Sequence, residues 1–181
     1  MLLESPDVEI GWKAVGFKLK DAKGQRFSSE QLMGESGLLV AFICNHCPYV
    51  KAIVDRLVED ANVLEKEGFG VVAIMSNDYR KVPQDSPENM LEFASKHGFS
   101  FPYLIDEDQS VGKAYDAVCT PDFFGFNSAG ELQYRGRLDD AKMGADSNRT
   151  PELLEAMRKI AQTGKGPAVQ HASMGCSIKW T

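Results

Sequence analysis

Positive charge is in short supply in this chain: 20 Lys and Arg stand against 26 Asp and Glu, a net charge of −6 with a pI near 5.1. That balance argues against nucleic acid or an anionic membrane surface as the main partner. Apolar runs are short as well, and none approaches the roughly 20 residues that span a bilayer. The opening Met1, Leu2, Leu3, Glu4, Ser5, Pro6, Asp7 has neither the basic start nor the apolar stretch of a secretory signal, so a cytoplasmic address is expected. Four cysteines in 181 residues are too few for a disulfide scaffold, which leaves redox chemistry or metal binding for any closely spaced pair. Internal repeats and low-complexity runs are missing too. What is there, 43% hydrophobic and 25% charged residues, fits one globular domain with a core of its own.

The chain is organised around Cys44, Asn45, His46 and Cys47, followed by Pro48. Leu38, Leu39, Val40, Ala41, Phe42 and Ile43 precede them, an unbroken apolar segment that reads as a strand buried on both faces. Val50, Ile53, Val54, Leu57, Val58, Ala61 and Leu64 follow at three- and four-residue steps, the stripe of one helix with a buried side. The cysteines therefore sit where a strand turns into a helix. A helix start offers unpaired N–H groups and partial positive charge, which favour a thiolate. A dipole contribution of about 0.3–1 kcal/mol, at most about 2, lowers a thiol pKa by about 1.5 units at best. His46 adds a proton-bearing ring close to the sulfur of Cys44. The expectation is a nucleophilic, water-reachable Cys44 with Cys47 as its intramolecular partner. No metal or other cofactor is expected, because the C-x-x-C pair has no second pair and His46, Cys119 and Cys176 are scattered.

Residues 1–15 read as an extended lead-in. Gly16 to Lys20 and Gln25 to Phe27 alternate around Asp21, Ala22, Lys23, Gly24, a hairpin pattern. Ser28 and Ser29 cap a short helical turn before Gly34. Phe69 to Met75 reads as a second buried strand after the stop at Gly68. Asn77 to Asp85 forms a polar loop, and Ser86 with Pro87 starts a helix that Gly98 closes. Tyr103 to Ile105 is a short strand, Gln109 to Tyr115 a short helix and Phe123 to Phe126 a strand. Asn127 to Gly130 turns into Leu132 to Arg135, and Thr150 and Pro151 open the final helix. The pattern specifies α/β architecture with a mixed central sheet flanked by helices: a domain over 16–162 and a tail over 163–181 that docks on it.

These features resemble the thioredoxin fold. The resemblance rests on the strand, Cys44 to Cys47 at a helix start, and Thr120 and Pro121 entering a late strand followed by a hairpin. It implies that Pro121 is cis and lies against the cysteines, and that Thr120 and Pro121 hold the incoming peptide backbone. The hairpin over 16–27 is similar to the extension of the redoxin (AhpC/TSA) branch, which includes peroxiredoxins and membrane-tethered thiol reductases. CNHCPYV at 44–50, DSPENM at 85–90, CTPDFF at 119–124, YRGRLDD at 134–140 and GCSIKW at 175–180 together resemble its peroxiredoxin-like group. Two departures matter. Aligning the peroxide-attacking cysteine of a PxxxTxxC pattern with Cys47 puts Val40 and Cys44 at the other positions, so the hydroxyl that orients peroxide is absent. The buried acid that typical thioredoxins carry six residues before the first cysteine is here Leu38. The histidine before the second cysteine resembles DsbA-type disulfide oxidases, which implies a pair more oxidising than thioredoxin.

Outside the pair, Cys119 reads either as a small buried filler or, through its neighbour Thr120, as an auxiliary thiol. Cys176 lies in a tail anchored by Ile178 and Trp180, with a resolving role as its alternative. Arg137 is either a surface ion pair or an arginine facing the thiolate. Asp139 and Asp140 are expected to be solvated, and Phe123, Phe124 and Phe126 to pack the core. Three functions are compatible with this pattern. The first is a thiol–disulfide oxidoreductase acting on protein or small-molecule disulfides or thiols, with Cys44 and Cys47 catalytic, His46 tuning them and the electron donor open. The second is a thiol peroxidase with Cys47 attacking peroxide and Cys44 or Cys176 condensing with it. The third is a non-turnover metal-binding or redox-sensing module built on Cys44, Cys47 and Cys119.

Overall fold

The computed structural model describes residues 1–7, 9–144 and 148–181. In chain order its elements are β1 (Leu2–Glu4), β2 (Lys18–Asp21), β3 (Arg26–Ser28), α1 (Ser29–Leu32), β4 (Gly37–Phe42), α2 (Pro48–Lys51), α3 (Val54–Lys66) and β5 (Phe69–Met75). A 3₁₀ turn over Pro83–Asp85 leads to α4 (Pro87–His97), β6 (Tyr103–Ile105), α5 (Ser110–Ala114), β7 (Cys119–Thr120), β8 (Asp122–Phe126), β9 (Leu132–Gly136), α6 (Glu152–Thr163) and β10 (Met174–Ser177). Seven strands form one mixed sheet in the order β3-β2-β6-β5-β4-β8-β9. β4 and β5 run parallel, as do β5 and β6, while β8 lies antiparallel to β4. The expected hairpin is β2 with β3, at one edge of this sheet.

β4 is an interior strand, between β5 and β8, whose residues are all apolar and whose two faces are both covered. Leu39, Ala41 and Ile43 face a cluster with Leu57, Leu64, Phe93, Leu153 and Met157 from α3, α4 and α6. Leu38, Val40 and Phe42 face the opposite cluster, with Tyr115, Phe124 and Phe126. Ser86 caps α4 through Asn89 N–H at 3.3 Å, with Pro87 in the first turn where it forfeits no bond. Gly98 ends α4 at φ 66°, a left-handed conformation that a side chain disfavours. No described helix is long and apolar enough to cross a membrane.

One helix was expected after the cysteines, and the structure divides it. α2 is a single turn, Ile53 N bonds back to Val50 O at 3.1 Å, and α3 restarts with Ile53 (φ −113°) as its N-cap. Three β-branched residues, Val50, Ile53 and Val54, meet at the break, and all three are buried. Their side-chain packing, rather than helix propensity, sets the backbone there.

The two chain ends meet in a second, three-stranded sheet, β1-β10-β7, antiparallel throughout. Cys176 lies opposite Thr120 on one side and Leu2 on the other. Further along, Lys179 N donates to Asn77 Oδ1 at 2.8 Å, and Lys179 O accepts from Asp78 N at 2.7 Å. The tail is thus bonded to the polar loop that follows β5.

Candidate active site

Buried β4 delivers the chain to Cys44, and Cys47 is the N-cap of α2, with Pro48 as the first helical residue. Facing them is β7, whose Thr120–Pro121 bond is cis. Cys44 Sγ lies 3.4 Å from Thr120 Oγ1, and Cys47 Sγ lies 3.4 Å from Thr120 O. All four cysteines are free thiols.

Cys44 was expected at a water-reachable corner with a lowered pKa, and both parts need correcting. It is 1% exposed and Cys47 is 0% exposed. Hydrogen bonding to Cys47, burial and the negative charge of Asp85 raise the Cys44 thiol well above the ordinary range, against a smaller pull from the Thr120 hydroxyl. Cys47 is lowered, first by the hydrogen bond from Cys44, against burial, and then by the Cys176 thiol and the N–H groups of Cys176 and Val50. The proton shared by the pair therefore rests on Cys44. Several donors reach Cys47, with one carbonyl opposing them, while Cys44 has a carboxylate beside it. The one-turn length of α2 explains why a macrodipole does not decide the matter; individual donors do.

The acid absent at position 38 arrives from another element. Asp85, at the end of the 3₁₀ turn, is 0% exposed. Its Oδ1 accepts Asn45 N at 2.8 Å and His46 N at 3.3 Å; its Oδ2 accepts His46 Nδ1 at 2.6 Å and Asn77 Nδ2 at 2.9 Å. Burial pushes this carboxyl up, but the bonds from His46, Asn77 and Asn45 outweigh it and leave it below the ordinary carboxylate range. A carboxylate only accepts, so His46 carries its proton on Nδ1. Asn45 is fixed in turn, with Nδ2 donating to Gln84 O at 3.1 Å and Oδ1 accepting Tyr103 OH at 2.8 Å. The residues between the cysteines are thus held from outside their own loop. Asp85, Asn77 and Tyr103 are site residues that sequence reasoning missed. The available signal is the DSPENM segment at 85–90, which carries the family resemblance, while Asp85 itself reads only as the end of a polar loop.

A ligand atom each from Cys44, His46 and Asp85 lies within 4.8 Å of the others. A cation there would displace the hydrogen bonds that Asp85 already accepts. Cys119, proposed as a third ligand, does not belong to this group. It is buried, and burial, with the charge of Asp122, lifts its thiol to about 12. Thr120 was expected to meet an incoming backbone, yet the chain's own β10 pairs with it. Gly175 makes that approach possible, since a Cβ there would sit 1.8 Å from Thr120 O. Arg137 is engaged by Glu152 in a two-point pair at 2.6 and 3.1 Å, the ion-pair reading rather than the thiolate-facing one. Asp139 is not solvated: it is buried and binds Arg56 at 2.8 Å and Arg149 at 3.2 Å. A cleft of about 440 Å³ opens beside Asn45 and His46, lined also by Lys51, Phe93, Lys96 and His97 but by neither cysteine of the pair.

Two thiols spaced C-x-x-C at a helix cap, opposite a cis-proline at a strand end, within a mixed sheet flanked by helices, define a thioredoxin-like fold of the redoxin type, and solved thioredoxin domains share the architecture. The chain belongs to the AhpC/TSA family, whose profile matches residues 10–135. A crystal structure of an uncharacterized conserved protein from Geobacillus kaustophilus superposes with a TM-score of 0.90 at 40% identity, covering 100% of this chain and 97% of that one. A hypothetical protein of Sinorhizobium meliloti 1021 gives 0.91 at 40% identity, with 98% of each chain covered. The thiol-disulfide oxidoreductase ResA of Halalkalibacterium halodurans is 26% identical over 123 residues, 67% of this chain and 65% of that protein. The match thus spans just under two thirds of that relative's length.

Proposed function

We propose that this protein is a thiol–disulfide oxidoreductase whose Cys44 and Cys47 cycle between dithiol and disulfide. The observation that carries this reading is the placement of two free thiols three positions apart against a cis-proline strand end, Cys44 Sγ 3.4 Å from Thr120 Oγ1 and Cys47 Sγ 3.4 Å from Thr120 O, with Cys47 shifted toward the anion and Cys44 toward the thiol. In the reducing direction a substrate S–S bond breaks, the Cys44–Cys47 bond forms, and the two substrate sulfurs leave as thiols, one taking the Cys44 proton and the other a proton from solvent. The ResA relatives are named for the same class of reaction. Asp85 keeps the proton on Cys44, and His46 carries the network to the lip of the 440 Å³ cleft. Protein or small-molecule disulfides and thiols are the substrate class.

The test is peptide mapping after equilibration in glutathione buffers. A Cys44–Cys47 disulfide should form with a potential above about −270 mV, because a stabilised thiolate favours the reduced form. Cys44→Ser and Cys47→Ser should each abolish that couple, and oxidation that never joins these two sulfurs would reject the reading. The lowered Cys47 also supports a second reading, peroxide reduction, since a thiolate is the attacking species. One equivalent of peroxide would then place an oxygen on Cys47 before any disulfide appears.

A further inference from the structure

We propose that Cys176, on the docked tail strand, is a third redox thiol through which electrons pass between the buried Cys44–Cys47 pair and external thiols or disulfides. The proposal rests on the oxidoreductase reading above. Cys44 and Cys47 are 1% and 0% exposed, so an external sulfur has no direct path to either, whereas Cys176 is partly exposed. The register places Cys176 directly opposite Thr120, the residue whose hydroxyl and carbonyl each lie 3.4 Å from one sulfur of the pair. Residues paired across an antiparallel ladder present their side chains to the same face. Cys176 also packs against the core cluster that contains Cys44 and Cys47, and its thiol and N–H both reach Cys47. Cys47 is therefore the thiol of the pair on which both Cys44 and Cys176 act, each favouring its anion. Around Cys176, Met1, Leu2 and Met174 are exposed at 86%, 50% and 44%, so an accessible apolar patch borders its strand.

The chemistry balances with an external thiol RSH as reductant. Cys176 gives up its proton and attacks Cys47 Sγ of the Cys44–Cys47 disulfide; the Cys47–Cys176 bond forms, and Cys44 leaves as a thiol with that proton. RSH then attacks Cys176 Sγ and expels Cys47, the sulfur whose anion has the most donors and which leaves most readily. A second RSH removes the first as RSSR and frees Cys176. The sum is two RSH oxidised to RSSR and one buried disulfide reduced to two thiols. Oxidation by RSSR is the same path reversed.

The experiment follows reduction of the oxidised full-length protein by glutathione in wild type and in Cys176→Ser, with peptide mapping of the disulfides. Serine retains a hydrogen-bond donor toward Cys47 and is nearly isosteric. The expected result is a rate at least about tenfold lower in Cys176→Ser, while the glutathione equilibrium of the Cys44–Cys47 pair stays within about twofold. In Cys44→Ser, where the pair cannot form, one equivalent of oxidised glutathione should yield a Cys47–Cys176 disulfide. If Cys176→Ser is reduced as fast as wild type, or Cys44→Ser forms no Cys47–Cys176 bond, the relay is wrong while the pair stands. If wild type itself forms no Cys44–Cys47 disulfide, the oxidoreductase reading falls and the relay with it.

Discussion

Asp85 and Asp122 are both fully buried carboxyls, each with a basic side chain in hydrogen-bond contact, and the structure drives them in opposite directions. Asp85 accepts two backbone N–H groups, a side-chain amide and the His46 ring, and its acidity is strengthened. Asp122 meets Arg135 at 2.8 Å, but its Oδ1 has no partner, nor do Nε and Nη1 of Arg135, whose guanidinium lies 4.5 Å from the Phe124 ring centre. Burial wins there, and the Asp122 carboxyl rises to about 6 despite the arginine. The lesson is that one cation does not settle the charge of a buried acid; the count of satisfied acceptor sites does. The consequence is functional. A permanent anion stands beside Cys44, and a half-satisfied ion pair closes the sheet beyond Cys119.

The largest test of this contrast is Arg135→Met, which leaves Asp122 buried without a cation. It should cost about 3–5 kcal/mol in urea unfolding, and adding Asp122→Leu should restore most or all of that stability. A single-variant loss below about 1 kcal/mol would show that Asp122 is already neutral and that the pair contributes little.

Next comes pH. The folded pKa of Asp122 lies above its value of 3.8 in the absence of burial, so the folded state holds the extra proton between these two values. Its contribution is complete below about 3.9 and is lost as pH rises through about 6, a change of about 3 kcal/mol for about two units. Asp85 has the opposite sign. Its lowered pKa gives stability that is present above about 3.9 and is lost as pH falls through the folded value. Unfolding free energies from pH 3 to 7 should lose the decline between pH 4 and 6 in Asp122→Asn, and lose part of the acid-side drop in Asp85→Asn. An Asp122-dependent rise in stability between pH 4 and 6 would reverse the assignment.

Asp85→Asn carries the contrast to the thiols. Losing charge-assisted bonds should cost about 2 kcal/mol. Because the charge of Asp85 helps to raise Cys44, alkylation of Cys44 followed against pH should titrate lower in the variant. An unmoved titration would mean that the carboxylate acts on His46 alone.

Most of the fold was legible because its signals are local. The alternation over β2 and β3, the all-apolar β4, and Ser86, Pro87 and Gly98 around α4 each state their own geometry. So does the C-x-x-C pair at a helix cap. The break at Ile53 was not legible, since the 3.6-residue stripe runs through it unchanged and packing decides it. Cys44 was misjudged because a helix start predicts donors but says nothing of the strand that covers the thiol. Asp85 reaches the loop from 39 residues away, and β10 crosses from the far end of the chain to Thr120. Contacts of that span leave no periodicity. Asp139 shows the same limit, because its arginines come from α3 and from the loop before α6.

The smallest effect lies at the rim of the satisfied network. Tyr103 is pushed far above its ordinary pKa by burial, with the negative charge of Asp85 adding to it, so its hydroxyl stays protonated and always donates to Asn45. Tyr103→Phe removes that donor and leaves Asn45 Oδ1 unpartnered, while Nδ2 keeps Gln84 O and the backbone N–H keeps Asp85. Because a neutral donor is lost and no charge is stranded, the cost should be about 1 kcal/mol in urea unfolding, against about 2 for Asp85→Asn. If the tyrosine costs as much as the aspartate, Asn45 rather than Asp85 is the member that holds the CNHC loop, and the ranking of donors around the carboxylate has to be redrawn from the amide outward.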